Sequence, residues 1–165
     1  MNFVDDYFTA EKTESLFFVA VGLLAVGAGA YFFFVLKQPV YRGAAIPLLL
    51  VAVLQLVVGT TVYVRSPKDI ERVTGLIQKD PALAKAEELP RMDVVMKKFV
   101  LYRSVEIALL LAGLALWGFF PAGSFWRGVG LGLFVQAGLM LSLDYFAEQR
   151  GQRYTEQIGA LPSLK

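Results

Sequence analysis

The chain has 165 residues, 56% of them apolar, a formal net charge of +2 and a mean hydropathy of +0.56, well above what a soluble domain of this length needs to fill one core. It contains no Cys and no His, which excludes disulfides, thiol nucleophiles, Cys/His zinc sites, haem attachment and imidazole acid–base chemistry together. A membrane protein is the leading class.

The opening stretch MNFVDDYFTAEKTES is acidic, and Phe3, Tyr7 and Phe8 in it suit an interfacial helix. The first apolar run, Ser15 to Leu36, is close to the ~20 residues that cross ~30 Å of hydrocarbon as helix. It reads as a span rather than a cleaved signal, because the flank before it is long and acidic and no convincing small-residue cleavage site follows. Gly22, Ala25 and Gly29 are its small residues, and no polar side chain accompanies them, so span one is expected to be structural.

The second run, Gly43 to Val64, carries Gln55, Gly59 and Tyr63 four apart. The loop before it, YFFFVLKQPVYRG, has a counterpart further on, WGFFPAGSFWRG, with an aromatic, a Phe pair, a Pro and an aromatic-Arg-Gly ending in common. One reading is a duplicated helical hairpin with a pseudo-twofold axis along the membrane normal. The other is that aromatic belts and Arg recur at membrane interfaces in any case.

Residues 65–98 form the one sizeable non-membrane segment. SPKD, Ser66 to Asp69, has the form of a helix start: Ser as N-cap, Pro at the first helical position and an acid at the third. Ile70, Val73 and Leu76/Ile77 then share a face, which predicts an amphipathic helix on the inner leaflet. Pro81 restarts a short helix and Pro90 starts another that runs into span three. Arg65, Ser66 and Lys68 gather two cations beside that helix start, a candidate site for a phosphate headgroup.

The third and fourth runs are Phe99 to Phe120 and Phe125 to Phe146, and residues 147–165 read as a polar tail with breaks at Gly151 and Gly159. Lys and Arg in the flanks number 12 on the side of the termini against 3 (Lys37, Arg42 and Arg127) on the other. The positive-inside rule therefore puts both termini in the cytoplasm of a bacterial inner-membrane protein. The expected fold is an all-α integral membrane protein, a four-transmembrane-helix bundle built from two helical hairpins, with cytoplasmic interfacial helices between spans 2 and 3.

Five polar side chains interrupt these runs. At ~1.5 Å per residue Arg103 falls about 6 Å and Glu106 about 10 Å inside the cytoplasmic boundary, Gln55 and Gln136 about 14 to 15 Å, and Asp144 about 3 Å. Helical side chains lean toward their own N-terminus, so Glu106 leans toward Arg103 and Asp144 leans inward to meet it. A fork of Arg103 between Glu106 and Asp144 is the expected geometry. Gly128, Gly132, Gln136, Met140 and Asp144 form one i+4 ridge of span four, facing a neighbouring helix. Intramembrane charge is costly, so this layer is a structural ion pair, a polar cavity open to the cytoplasm, or a snorkelling pair around a buried Glu106.

VYVRSPKDIERV, YRSVEIALL and LDYFAEQRG together resemble small four-span bacterial membrane proteins. The resemblance covers most of the chain and implies the fold class, with no activity attached. No Gly-rich phosphate loop, paired-carboxylate metal motif or nucleic-acid module is present, so no cofactor, metal or nucleic acid is expected. The expected partners are the lipid bilayer and a second copy or another membrane protein, since four helices enclose little space. Three function classes compete: a non-enzymatic protein that binds or transports a small ion or polar group at the layer, which is favoured; an immunity or accessory subunit; and a lipid-modifying enzyme using Glu106 or Asp144 with Arg65 and Arg103.

Overall fold

In the computed structural model, which describes residues 2–162, the first helix, α1, runs Asn2–Tyr31 and closes in a single π-helical turn, Phe32–Leu36. Helix α2 spans Pro39–Lys79, α3 Pro81–Phe119 and α4 Phe125–Gly159. All four are long and apolar enough to cross a membrane. With 41 residues, α2 is about 60 Å long, twice the thickness of bilayer hydrocarbon.

The turns between helices are short and capped. Lys37 takes the left-handed conformation (φ 58°) and donates its N–H to Phe32 O at 3.3 Å. Pro39 then opens α2 at a position where a missing N–H is harmless. Asp80 alone joins α2 to α3: its Oδ1 accepts from the Ala82 N–H at 2.9 Å, and Pro81 follows at the first helical position. Ser124 caps α4 by accepting from the Arg127 N–H at 3.3 Å.

Several expectations are corrected here. Ser66 and Pro67 lie inside α2, not at a helix start; the Ser66 hydroxyl donates to Val62 O at 2.7 Å, bonding back into the preceding turn instead of capping a new one. Pro90 likewise lies inside α3, and Pro47 inside α2. Pro47 is buried and Pro67 and Pro90 are exposed, so what offsets an interior penalty of about 3 kcal/mol is the packing of the helix segments before and after each proline. The stretch 65–98 is therefore not a set of separate short helices. It is the paired ends of α2 and α3, and with the start of α1 and the end of α4 it builds a four-helix base beyond the apolar runs. Phe3, Tyr7 and Phe8 belong to α1 itself. Gly151 does not break α4 but packs closely: a Cβ there would sit 3.1 Å from Met96 Sδ. Residues 163–165 of the expected tail lie outside the described residues.

The apolar stripe of α2 faces protein. Val73 and Ile77 enter a core with Val4, Phe8, Met92, Tyr154 and Ile158 from the other three helices, and Tyr7 stacks on Tyr154 at 4.2 Å between ring centres. Above the base, α1 packs along α2 and α3 along α4. Helices α2 and α4 form the short diagonal of the bundle, α1 and α3 the long one.

The short diagonal closes through glycines, reciprocally. A Cβ on Gly43 would collide with the Phe125 carbonyl, and one on Gly128 with the Val40 carbonyl. Val40 and Phe125 hold equivalent places in the two similar loop sequences, as do Gly43 and Gly128, so the likeness of the loops is matched by a pseudo-twofold contact. On the flanks Gly22, Gly29 and Gly59 bring α1 against α2, and Gly113 and Gly130 bring α3 against α4. Small residues let helices approach where lipid offers no hydrophobic drive for association.

Candidate functional site

The ridge of α4 that begins with Gly128 and Gly132 lies against α2, where Gly132 meets Ala44 and Pro47. Continued toward the base, the same ridge presents Gln136, Met140, Asp144 and Glu148. Gln136 Nε2 donates to Gln55 Oε1 at 3.3 Å, and Gln55 Nε2 donates to Met140 Sδ at 3.4 Å. Both glutamines are fully buried, at 0% and 1% exposure. Their amides satisfy one another, so neither strands a polar group in an apolar setting.

One turn nearer the base, Glu106 of α3 and Asp144 of α4 stand close together on the wall of one cavity. Glu106 is 6% exposed, and its Oε2 is buried without a hydrogen-bond partner. Arg103 does not join them. It pairs with Glu148 at 2.7 Å, which corrects the expected fork: a long guanidinium leaning toward the α3 N-terminus overshoots Asp144 and meets the acid one turn beyond it.

All four helices wall a cavity of about 640 Å³ at this level. Gln55, Gln136, Glu106 and Asp144 lie on its wall, and Glu11, Glu14 and Arg150 lie where it meets the base. Between α2 and α3 its rim is made by Leu54, Val58, Leu101, Tyr102 and Val105, all of which face outward. The cavity thus opens sideways, toward the space lipid occupies around a membrane bundle. Toward the loops the Gly43 and Gly128 contacts shut the bundle.

The base holds a second charged cluster. Glu88 is 0% exposed and receives Arg72 Nη2 at 2.5 Å, Arg91 Nη2 at 2.7 Å and the Tyr154 hydroxyl at 3.2 Å. Burial works to raise the Glu88 carboxyl, but hydrogen bonds and charge from Arg91 and Arg72 overcome it and hold the group below the usual carboxylate range. Burial raises the Glu11 carboxyl, with Asp69 adding to the shift and Arg65 opposing it. Arg150 pairs with Glu14, and Arg91 lies over the Phe8 ring at 5.6 Å. These contacts tie all four helices together, a scaffolding role.

The proposed headgroup cluster loses its basis. Arg65 is engaged by Glu11 at 3.0 Å and Asp69 at 2.9 Å, Ser66 is buried, and Lys68 projects outward from mid-helix, with no free helix N-terminus beside it. Among the described residues no group of three or more acids forms a metal site. Sequence reasoning missed Glu148, one step further along the α4 ridge, and Glu88, whose signal was Arg91 three residues on. No family model, curated protein or solved structure matches the chain, so the site rests on its own geometry.

Proposed function

We propose that this protein is a non-enzymatic bacterial inner-membrane bundle, base toward the cytoplasm, that binds a small cationic or hydrogen-bond-donating group at the Glu106–Asp144 pair. The observation that carries the reading is the buried Glu106 Oε2 on the wall of a cavity of about 640 Å³, since a buried carboxyl oxygen that receives no hydrogen bond is expensive unless something else meets it. Closure toward the loops makes the site a one-sided vestibule, which supports binding more than conduction in this conformation. The enzyme reading has less support, because Arg65 and Arg103 are both committed elsewhere.

Carbodiimide labelling in lipid nanodiscs tests this. An apolar carbodiimide reacts with protonated carboxyls, so Glu106 or Asp144 is expected to be modified, and ammonium or methylammonium ions should slow the reaction. A labelling rate indifferent to every cation tried would overturn the reading. Because the chain has no native cysteine, a single Cys at Lys79 reports orientation: labelling from the cytoplasmic side only is expected.

A further inference from the structure

The geometry points to a cationic amphiphile, one positive head on an apolar body, as the occupant of the cavity, with the proton shared by Glu106 and Asp144 released when its head arrives. This rests on the site proposed above and adds the ligand class and the exchange. Three observations meet here. The cavity is lined mainly by apolar side chains, its size falls within the range of small-molecule sites, and its rim opens between α2 and α3 toward the acyl-chain level. A body that is itself apolar enters by that route without leaving hydrocarbon.

Charge decides the head. The ionisable groups on the wall are Tyr7, Glu11 and Glu14 from α1, Tyr102 and Glu106 from α3, and Asp144 and Arg150 from α4; α2 adds only the neutral Gln55 at this level. Arg103 and Glu148, just beyond the wall, neutralise each other. The one cation on the wall, Arg150, is held by Glu14, so acids are in excess and an anionic head is disfavoured. A hydrated metal ion is equally ill served, because hard cations want about six oxygens and the glutamine amides are already paired.

The exchange balances. Two carboxyls close together and away from water share a proton rather than carry two like charges, so on this reading the empty site holds one proton and one negative charge. A monovalent cation binding there displaces that proton, leaving two carboxylates around one positive charge and one H⁺ delivered to water at the base. The only bond broken is the carboxyl O–H, and its proton passes to water.

Dodecyltrimethylammonium is the probe, because its head carries no titratable proton and any proton released is the protein's. In weakly buffered nanodiscs, with empty discs subtracted, it is expected to bind saturably, release up to one proton per molecule bound, and slow carbodiimide labelling of Glu106 at least tenfold. Glu106→Gln should bind with no proton release. Val58→Trp, which fills the apolar mouth without touching the acids, should weaken dodecyltrimethylammonium at least tenfold and leave the effect of tetramethylammonium unchanged. If tetramethylammonium protects as well as the long-chain probe, the small-cation reading survives and the amphiphile fails. If neither protects, both fail. Equal protection by dodecyl sulfate overturns the inference, since the acid pair then plays no part in recognition.

Discussion

The base and the apolar half of this bundle are made from the same four helices and held by different forces. In the base, Val4, Phe8, Val73, Met92, Tyr154 and Ile158 come together in a dense core, and its charges are cross-bridged around Glu88. Removal of apolar surface from water contributes about 25 cal/mol per Å² there. Between the apolar runs that drive is absent, and glycine contacts and the Gln55–Gln136 bond replace it. The difference explains where a cavity persists: hydrocarbon does not compel closure, whereas water around the base would.

The contrast makes ordered predictions. The largest effect belongs to the apolar half. Gly128→Leu drives a side chain into the Val40 carbonyl, a backbone group that cannot rotate away, and is expected to cost more than ~3 kcal/mol; the readout is loss of monodisperse protein in detergent, and a variant that folds normally would contradict the reciprocal contact. Second, Glu88→Leu leaves two arginines without their acid and should cost about 3 kcal/mol. Hydrogen exchange should rise in residues 2–14 and 147–159 while the 43–59 region keeps its protection; uniform loosening would show that the two halves are not separable.

Acid should act on the base in the same direction. The Glu88 carboxyl is lowered from its ordinary 4.5, so its contribution is complete above that value and is lost as pH falls through the lower native value. Glu11 is raised and works in the opposite sense: what it contributes is present below the ordinary value and is lost as pH rises through the raised one. Titration of wild type against Glu88→Gln isolates the first, and the acid limb is expected to disappear in the variant. The smallest effect is that of Arg103→Leu. Its guanidinium is 44% exposed and meets Glu148 alone, so leucine there strands one acid rather than two arginines, and thermal unfolding should show a smaller loss of stability than Glu88→Leu.

The spans were legible because an apolar run of about 20 residues has few other uses in a protein, and the glutamines and Glu106 were legible because their cost singles them out. The base was not. Ser66–Pro67, Pro81 and Pro90 punctuate the sequence alike, yet only Pro81 begins a helix, since a proline inside a helix and one at its start differ in what packs around them rather than in local spelling. Arg103 was given the wrong partner, because a side chain of its length reaches acids a full turn apart. A polar cavity at this layer was one of the expectations, open to the cytoplasm; its sideways mouth had no signature in the residues, since that opening belongs to the spacing of α2 and α3, and neither helix records it alone.

The reciprocal meeting of Gly43 and Gly128 also makes a pivot. Helix α2 is continuous from that point to Lys79, an arm of 36 further residues and about 54 Å, and the cavity lies beside it between pivot and tip. A tilt of about 5° there displaces the Asp80 end by about 5 Å, by the same rise per residue. On the reading proposed above, a group that enters or leaves beside Glu106 would therefore be felt, magnified, at the far end of the base.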